Sequence, residues 1–270
     1  MSKTYNVIMI TILCILIIVL GSFLIMSPKG MFKSKKLELL LEKTYTPEEF
    51  SNIYIDVTSA DTYLYHSEDG LVKVEVYATE DDKTSSEIEN EDLNIVLKNK
   101  KKFCFMCVRK SNKINIYLPQ EYANTISIKS TSGDIKVSSF NDMKIKVHAT
   151  SGDVKTKNLK SANLKLTSGD VSIAKVDSFI ADLTSGDIEI DEINNYAKIE
   201  VTSGDIDINT FNIFKNSSIK TTSGDITINH IDNVYVNSKV TSGDIDVNNS
   251  DRKAPYELKI KTTSGDISVN

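Results

Sequence analysis

The sequence predicts an all-β fold: a single-chain β-solenoid of 17–22 residues per coil, preceded by one N-terminal transmembrane helix. Three observations carry this. The core Thr-Ser-Gly-Asp followed by Ile or Val begins at Thr131, Thr150, Thr167, Thr184, Thr202, Thr222, Thr241 and Thr263, and a motif recurring at such a period marks a repeat architecture. Around every copy, apolar and polar residues alternate with the period of two of a half-buried strand. Ahead of the repeats, Val7 to Met26 is a run of 20 residues without a charge, long enough as a helix to cross a hydrocarbon core about 30 Å thick.

The apolar run comes first in the chain. It exceeds the ~7–15 residues usual for a cleavable signal and ends in Phe23-Leu24-Ile25-Met26-Ser27-Pro28, without a small-x-small site. Residues 1–28 therefore read as an uncleaved, single-pass membrane anchor. Leu13 immediately before Cys14 argues against a lipoprotein cleavage box and leaves Cys14 as a packing residue in the membrane. Lys29, Lys33, Lys35 and Lys36 follow the span and only Lys3 precedes it, a bias that taken alone would hold the large domain in the cytoplasm. Residues 29–50 read as a membrane-proximal linker, with Leu37 to Glu42 open to either a short helix or irregular chain. Residues 51–130 alternate like strands, as in Val72-Lys73-Val74-Glu75-Val76 and Ile114-Asn115-Ile116-Tyr117-Leu118, but at irregular spacing. They are expected to form the first coils and a cap, with Thr58-Ser59-Ala60-Asp61 as a worn copy of the motif.

Residues 131–270 are the regular solenoid. Four positions after each Thr stand Ile135, Val154, Val171, Ile188, Ile206, Ile226, Ile245 and Ile267, and six after it Val137, Thr156, Ile173, Ile190, Ile208, Ile228, Val247 and Val269. Before the motif the inward set lies one and three positions ahead of Thr, as in Leu164 and Leu166, so its parity changes across Ser-Gly-Asp. A strand changes parity only by turning or bulging, and Gly supplies the positive φ that such a corner needs. Corners are expected at Gly133, Gly152, Gly169, Gly186, Gly204, Gly224, Gly243 and Gly265. An apolar residue returns nine after Thr at Phe140, Leu159, Val176, Ile193, Phe211 and Ile231, with Ser250 the exception, which implies a second bend and a short third side. Stacked at ~4.8 Å, eight coils would extend for roughly 35–40 Å. A β-propeller needs about 40 residues per blade, and a β-sandwich has no use for one corner sequence repeated eight times.

Stacking also sets Asp134, Asp153, Asp170, Asp187, Asp205, Asp225, Asp244 and Asp266 in one column. Neighbouring carboxylates ~5 Å apart repel by about 0.8 kcal/mol even at the dielectric of water. Either corner N–H groups and hydroxyls hold them, as in ordinary turns, or they share Ca²⁺. The first reading is preferred, because one Asp per coil offers few of the 6–8 oxygens that Ca²⁺ takes. No catalytic residue, metal centre or cofactor is expected otherwise. His66, His148 and His230 fall in different columns, Arg109 and Arg252 lie far apart, and a serine repeated eight times is not a nucleophile's pattern. Cys104 and Cys107 have C-x-x-C spacing without a second pair and read as a local disulfide or as small apolar residues. The basic block from Lys98 to Lys113 is a solvated hairpin face or a contact for anionic lipid or wall polymer. A net charge of −5, 7% aromatics and no Trp give no sign of nucleic-acid binding.

The eightfold corner motif, joined to an N-terminal anchor and irregular first strands, resembles the bacterial putative-adhesin domain family of unknown function, whose members include Lia-type proteins of the cell-envelope stress response. The resemblance covers roughly residues 50–270. It implies a membrane-anchored β-helical ectodomain facing the envelope, non-enzymatic, with adhesion as the proposed role and envelope stress as a possible setting. Its partners would be the membrane through Val7–Met26 and anionic lipid, wall polymer or another envelope protein. It brings no catalytic residues. Ala60 and the basic flank after the span depart from the pattern. A carbohydrate-active enzyme on the same fold and a cytoplasmic-facing polymerising scaffold are the alternatives.

Overall fold

In the computed structural model the described residues, 36–99, 111–232 and 234–270, form nineteen strands, and 37–100 with 111–270 make one unit. The anchor Val7–Met26, its flank Lys29, Lys33 and Lys35, and the block containing Cys104, Cys107 and Arg109 lie outside the described residues. No helix among the described residues is long and apolar enough to cross a membrane.

The alternating segments become strands because each buries one face and completes its backbone hydrogen bonds on the neighbouring coils. β9 (Phe140–Ser151), β10 (Val154–Ser168), β11 (Val171–Ser185) and β12 (Ile188–Ser203) are stacked parallel and in register. β13 (Ile206–Phe211) and β14 (Ser217–Ser223) continue from β12, and β15 (Ile226–Ile231) follows β13. Val154, Val171, Ile188, Ile206 and Ile226 form one inward column, each at most 1% exposed. Phe140, Phe179 and Phe211 are the largest of the fully buried side chains.

The order of stacking departs from the order of the sequence at both ends. β18 (Tyr256–Ser264) and β19 (Ile267–Val269) lie between β14–β15 on one side and β16 (Val234–Ser242) with β17 (Ile245–Val247) on the other. The coil that comes last in the sequence is therefore interior, and the one before it ends the stack. This corrects the expectation of eight regular coils stacked one after another along residues 131–270. Burial explains the exchange. The 263 coil points Leu258, Ile260, Ile267 and Val269 inward, all at most 1% exposed. The 241 coil carries Ser238 and Ser250 at two inward positions. Burying the more apolar coil on both faces removes from water the part a terminal coil leaves exposed, 43% at Ile245, which gains roughly 1 kcal/mol for each such side chain.

At the other end β2 (Asn52–His66) is similarly inserted, between β5 (Asp92–Lys98) with β6 (Asn112–Leu118) and β7 (Thr125–Ser132) with β8 (Ile135–Val137). Beyond them the strands reverse. β3 (Val72–Ala78) runs antiparallel to β6, β1 (Glu38–Tyr45) antiparallel to β3, and β4 (Lys83–Glu89) antiparallel to β5. Lys43 Nζ and Tyr45 Oη donate to the Ser86 carbonyl at 2.6 and 2.8 Å and so tie β1 to β4. Residues 38–45 are thus a cap strand rather than a helix or linker. A helix there would leave the β3 edge unpaired and lift Tyr45 off Phe50, which it meets edge-on at 6.2 Å.

Candidate binding surface

The repeated corner is built from the space that glycine leaves. All eight corner glycines have φ between 123° and 144°, and a Cβ on any of them would lie 2.1–2.2 Å from the carbonyl oxygen of the corner beneath. They form one column, in which Gly265 rests on Gly224 and Gly243 on Gly265. Ala60 is the base of that column, beneath Gly133. It lies mid-strand in β2 without a positive φ, opposite Asn112 at the start of β6 rather than another corner. A methyl is tolerated there because no stacked corner lies beneath it.

Each Asp carboxylate accepts a hydrogen bond from the backbone N–H of the Asp in the next coil, from Asp61 through Asp134, Asp153, Asp170, Asp187, Asp205, Asp225 and Asp266 to the N–H of Asp244, at 2.8–3.2 Å. The Asp carbonyl accepts in turn from the residue after Asp in the coil beneath, as in Ile188 N–H to Asp205 O at 2.9 Å. Charge-assisted bonds of this type offset the mutual repulsion of the column. The donors are N–H groups, and the motif's Thr and Ser hydroxyls do not serve the carboxylates. Among the described residues no group of three or more His, Cys, Asp and Glu side chains is placed to hold a metal ion.

The outward columns differ along the stack. Two positions before Thr they read Lys129, His148, Lys165, Asp182 and Glu200, and five after it Lys136, Lys155, Ser172, Glu189 and Asp207. The first coils are therefore basic and the middle ones acidic. On the basic side an open groove of about 400 Å³ is lined by Tyr54, Lys129, Lys146, His148, Asn163 and Lys165 among others. Asp56 also lines it, opposite Lys129 in the β2–β7 register, and is paired with Lys98, and Lys165 lies 3.9 Å from Asp182. Among the described residues Lys129 and Lys146 have no acidic partner. No contiguous basic run such as 98–113 marks this groove in the sequence. The outward columns of the repeat register held the signal.

A second cluster lies on β2, β3, β6 and β8. The rings of Tyr63, Tyr65 and Tyr117 follow one another at 5.8 and 5.5 Å, with Lys113 4.6 Å above Tyr63 and Lys73 5.9 Å from Tyr117. These cation–π contacts occupy the ring faces. Beside them Glu75, buried to 8% exposure, accepts bonds from Lys73 at 2.7 Å, Asn115 at 3.1 Å and Tyr77 at 3.2 Å. Burial alone would raise its pKa, but these donors hold it below the ordinary carboxylate value. Burial raises the pKa of Tyr65 and Tyr117, with a further push from Glu75 on Tyr117. The geometry is that of a brace between cap and first coil in which Glu75 is satisfied, while Asn115 Oδ1 has no hydrogen-bond partner among the described residues.

The histidines do not converge. His66 lies tilted against Phe140, with ring centroids 4.5 Å apart, His148 lines the groove, and His230 meets the Asn209 carbonyl at 3.2 Å.

A parallel β-solenoid of glycine corners, capped at one end by reversed strands, is the class that this fold defines. The chain belongs to the Toastrack DUF4097 family, whose model matches residues 50–270. Among solved structures it is similar to a putative adhesin of Bacteroides fragilis, with 18% identity and a TM-score of 0.54 over 87% of this chain and 98% of that one. A putative adhesin of Parabacteroides merdae gives 14% identity and 0.55 over 87% and 97%. A putative lipid binding protein of Parabacteroides distasonis gives 19% and 0.54 over 85% and 96%. At these identities the likeness is one of fold. A search of curated proteins finds no match to the chain.

Proposed function

We propose that this protein is a non-enzymatic, adhesin-like surface scaffold of the bacterial cell envelope, held by Val7–Met26 with the solenoid on the extracytoplasmic side, and that its basic groove contacts anionic phosphate groups. The observation that carries the reading is the pair Lys129 and Lys146, without acidic partners among the described residues, lining an open groove beside Tyr54, which is 44% exposed. Exposed lysines attract phosphate without a shaped pocket, and such contacts weaken with salt. The family and the fold of structures named adhesin or lipid binding protein support a surface role.

The test uses the full chain in phosphatidylcholine nanodiscs, titrated with soluble glycerol-phosphate polymer and, separately, with phosphatidylglycerol vesicles. Salt-sensitive binding in at least one arm, weakened about tenfold or more by Lys129→Gln with Lys146→Gln and Lys165→Gln, is expected. The arm that responds separates wall polymer from lipid headgroup. Absence of binding in both arms, or binding indifferent to the triple substitution, overturns the groove. Protease cleavage of the solenoid on intact cells tests its side of the membrane, and full protection would place it inside.

A further inference from the structure

The backbone pattern of the solenoid stops at one place. β16 and β17 pair with β18 and β19 on one side; on the other edge the Val236 N–H donates to Ser250 Oγ and the Val234 carbonyl accepts from the Asp251 N–H, and among the described residues no strand pairs with the rest of it, from Asn237 to Asn248. Ile245 is 43% exposed where Ile206, Ile226 and Ile267 of the same column are at most 1%. Ile267 donates its N–H to the Asp244 carbonyl, and Asp244 donates its N–H to the Asp266 carboxylate. The Ile245 N–H and the Asp244 carboxylate have no next coil to meet. Such an edge is a template for another strand. At the far end the antiparallel β1, β3 and β4 replace the parallel corner strands, so the open coil of a second copy finds no matching corner there to extend the stack head to tail.

A symmetric join remains, and the terminal coil is self-complementary for it. Because side-chain parity reverses at the corner, the in-and-out pattern reads the same in both directions from the Ser242–Gly243 bond. Val240 and Ser238 point inward before it, Ile245 and Val247 after it. Lys239 and Asn237 point outward before it, Asp246 and Asn248 after it. A two-fold axis through this corner lays β16 of one copy antiparallel to β17 of the other. Val240 then faces Ile245, Lys239 faces Asp246 and Asn237 faces Asn248, while Asp244 meets Thr241, a donor.

Charge distinguishes this coil from the other seven. The corresponding outward pairs elsewhere are Lys129 with Lys136, His148 with Lys155, Lys165 with Ser172, Asp182 with Glu189, Glu200 with Asp207, Lys220 with Thr227 and Lys261 with Ser268. None sets opposite charges face to face, and three set like charges, which opposes pairing. Only the coil that ends the stack has Lys opposite Asp. We propose that two copies of this chain associate through their open ends as a closed two-fold dimer, β16 of each antiparallel to β17 of the other.

The full chain in detergent, followed by sedimentation velocity against concentration, tests the join. Lys239→Asp or Asp246→Lys alone should weaken the dimer about tenfold or more, and the two together should restore it, since the exchanged pair is again complementary. Residues 237–247 should gain amide-exchange protection as protein concentration rises. Restoration by the double substitution separates this join from association through the membrane segment, which neither change touches. A chain that stays monomeric at its highest soluble concentration, or a dimer unmoved by the single substitutions, or one in which the double substitution is as weak as either single, overturns the proposal.

Discussion

A methyl group at Gly204 would stand 2.1 Å from the Gly186 carbonyl oxygen, at a φ of 144°. Neither can relax alone, because the Gly186 corner is itself pinned by its N–H bond to the Ser203 carbonyl at 3.1 Å. Gly204→Ala is therefore expected to cost about 3 kcal/mol or more by chemical denaturation. Gly70, at φ 74° with nothing within 4 Å of the added atom, gives the comparison: Gly70→Ala should cost only about 1 kcal/mol. Equal losses would show that stacking does not set the need for glycine. The same scale contains a defect in the core. Thr156 is 4% exposed, occupies an otherwise aliphatic column, and its hydroxyl has no hydrogen-bond partner among the described residues. Thr156→Val should raise stability by about 1 kcal/mol, read as a higher Tm.

Within a strand, parity decides whether a substitution is felt. Ile206 is fully buried between Ile188 and Ile226, while its neighbour Asp207 is exposed. Ile206→Asp should cost about 4 kcal/mol or more by placing an unpaired charge between two coils, and Asp207→Asn within about 0.5 kcal/mol of nothing. Matching melting temperatures would refute the register. The cap carries a pH dependence. Glu75 has a pKa lowered in the folded state, so its stabilising effect is present above the unfolded carboxylate value and is lost as pH falls through the lower folded one. Tm should decline below about pH 4.3, the ordinary Glu value. Glu75→Gln should flatten that decline, and an unchanged profile would show that the brace between β3 and β6 is electrostatically idle.

At the scale of the whole molecule, position in the stack rather than position in the chain should govern local stability. β18 and β19 include nearly the last residues of the sequence, yet they are enclosed by coils on both sides. Their amides should exchange more slowly than those of β16 and β17, measured at concentrations low enough to leave the open end free. Faster exchange in 256–269 than in 234–247 would contradict the inserted coil. The graded surface also belongs to this scale. Lys129, Lys146 and Lys165 are separated in sequence by 17–19 residues and become one groove only because the coils stack in register.

The sequence by itself determined the strands, the inward columns and the parity change at Ser-Gly-Asp, because each is a local consequence of side-chain alternation and of the conformations open to glycine. Ser238 and Ser250 even marked the coil least suited to burial. What it did not determine is which coil lies against which. That depends on a comparison between whole coils for the two-sided interior place, and the tertiary structure settles it in favour of Leu258, Ile260, Ile267 and Val269. The cap was illegible for a related reason. Glu38–Tyr45 has no strong alternation of its own and becomes a strand by completing the β3 edge. The carboxylate column shows the same division: its existence follows from the repeat, whereas its donors, the N–H groups of the next coil's Asp residues, come within bonding distance only when the corners stack.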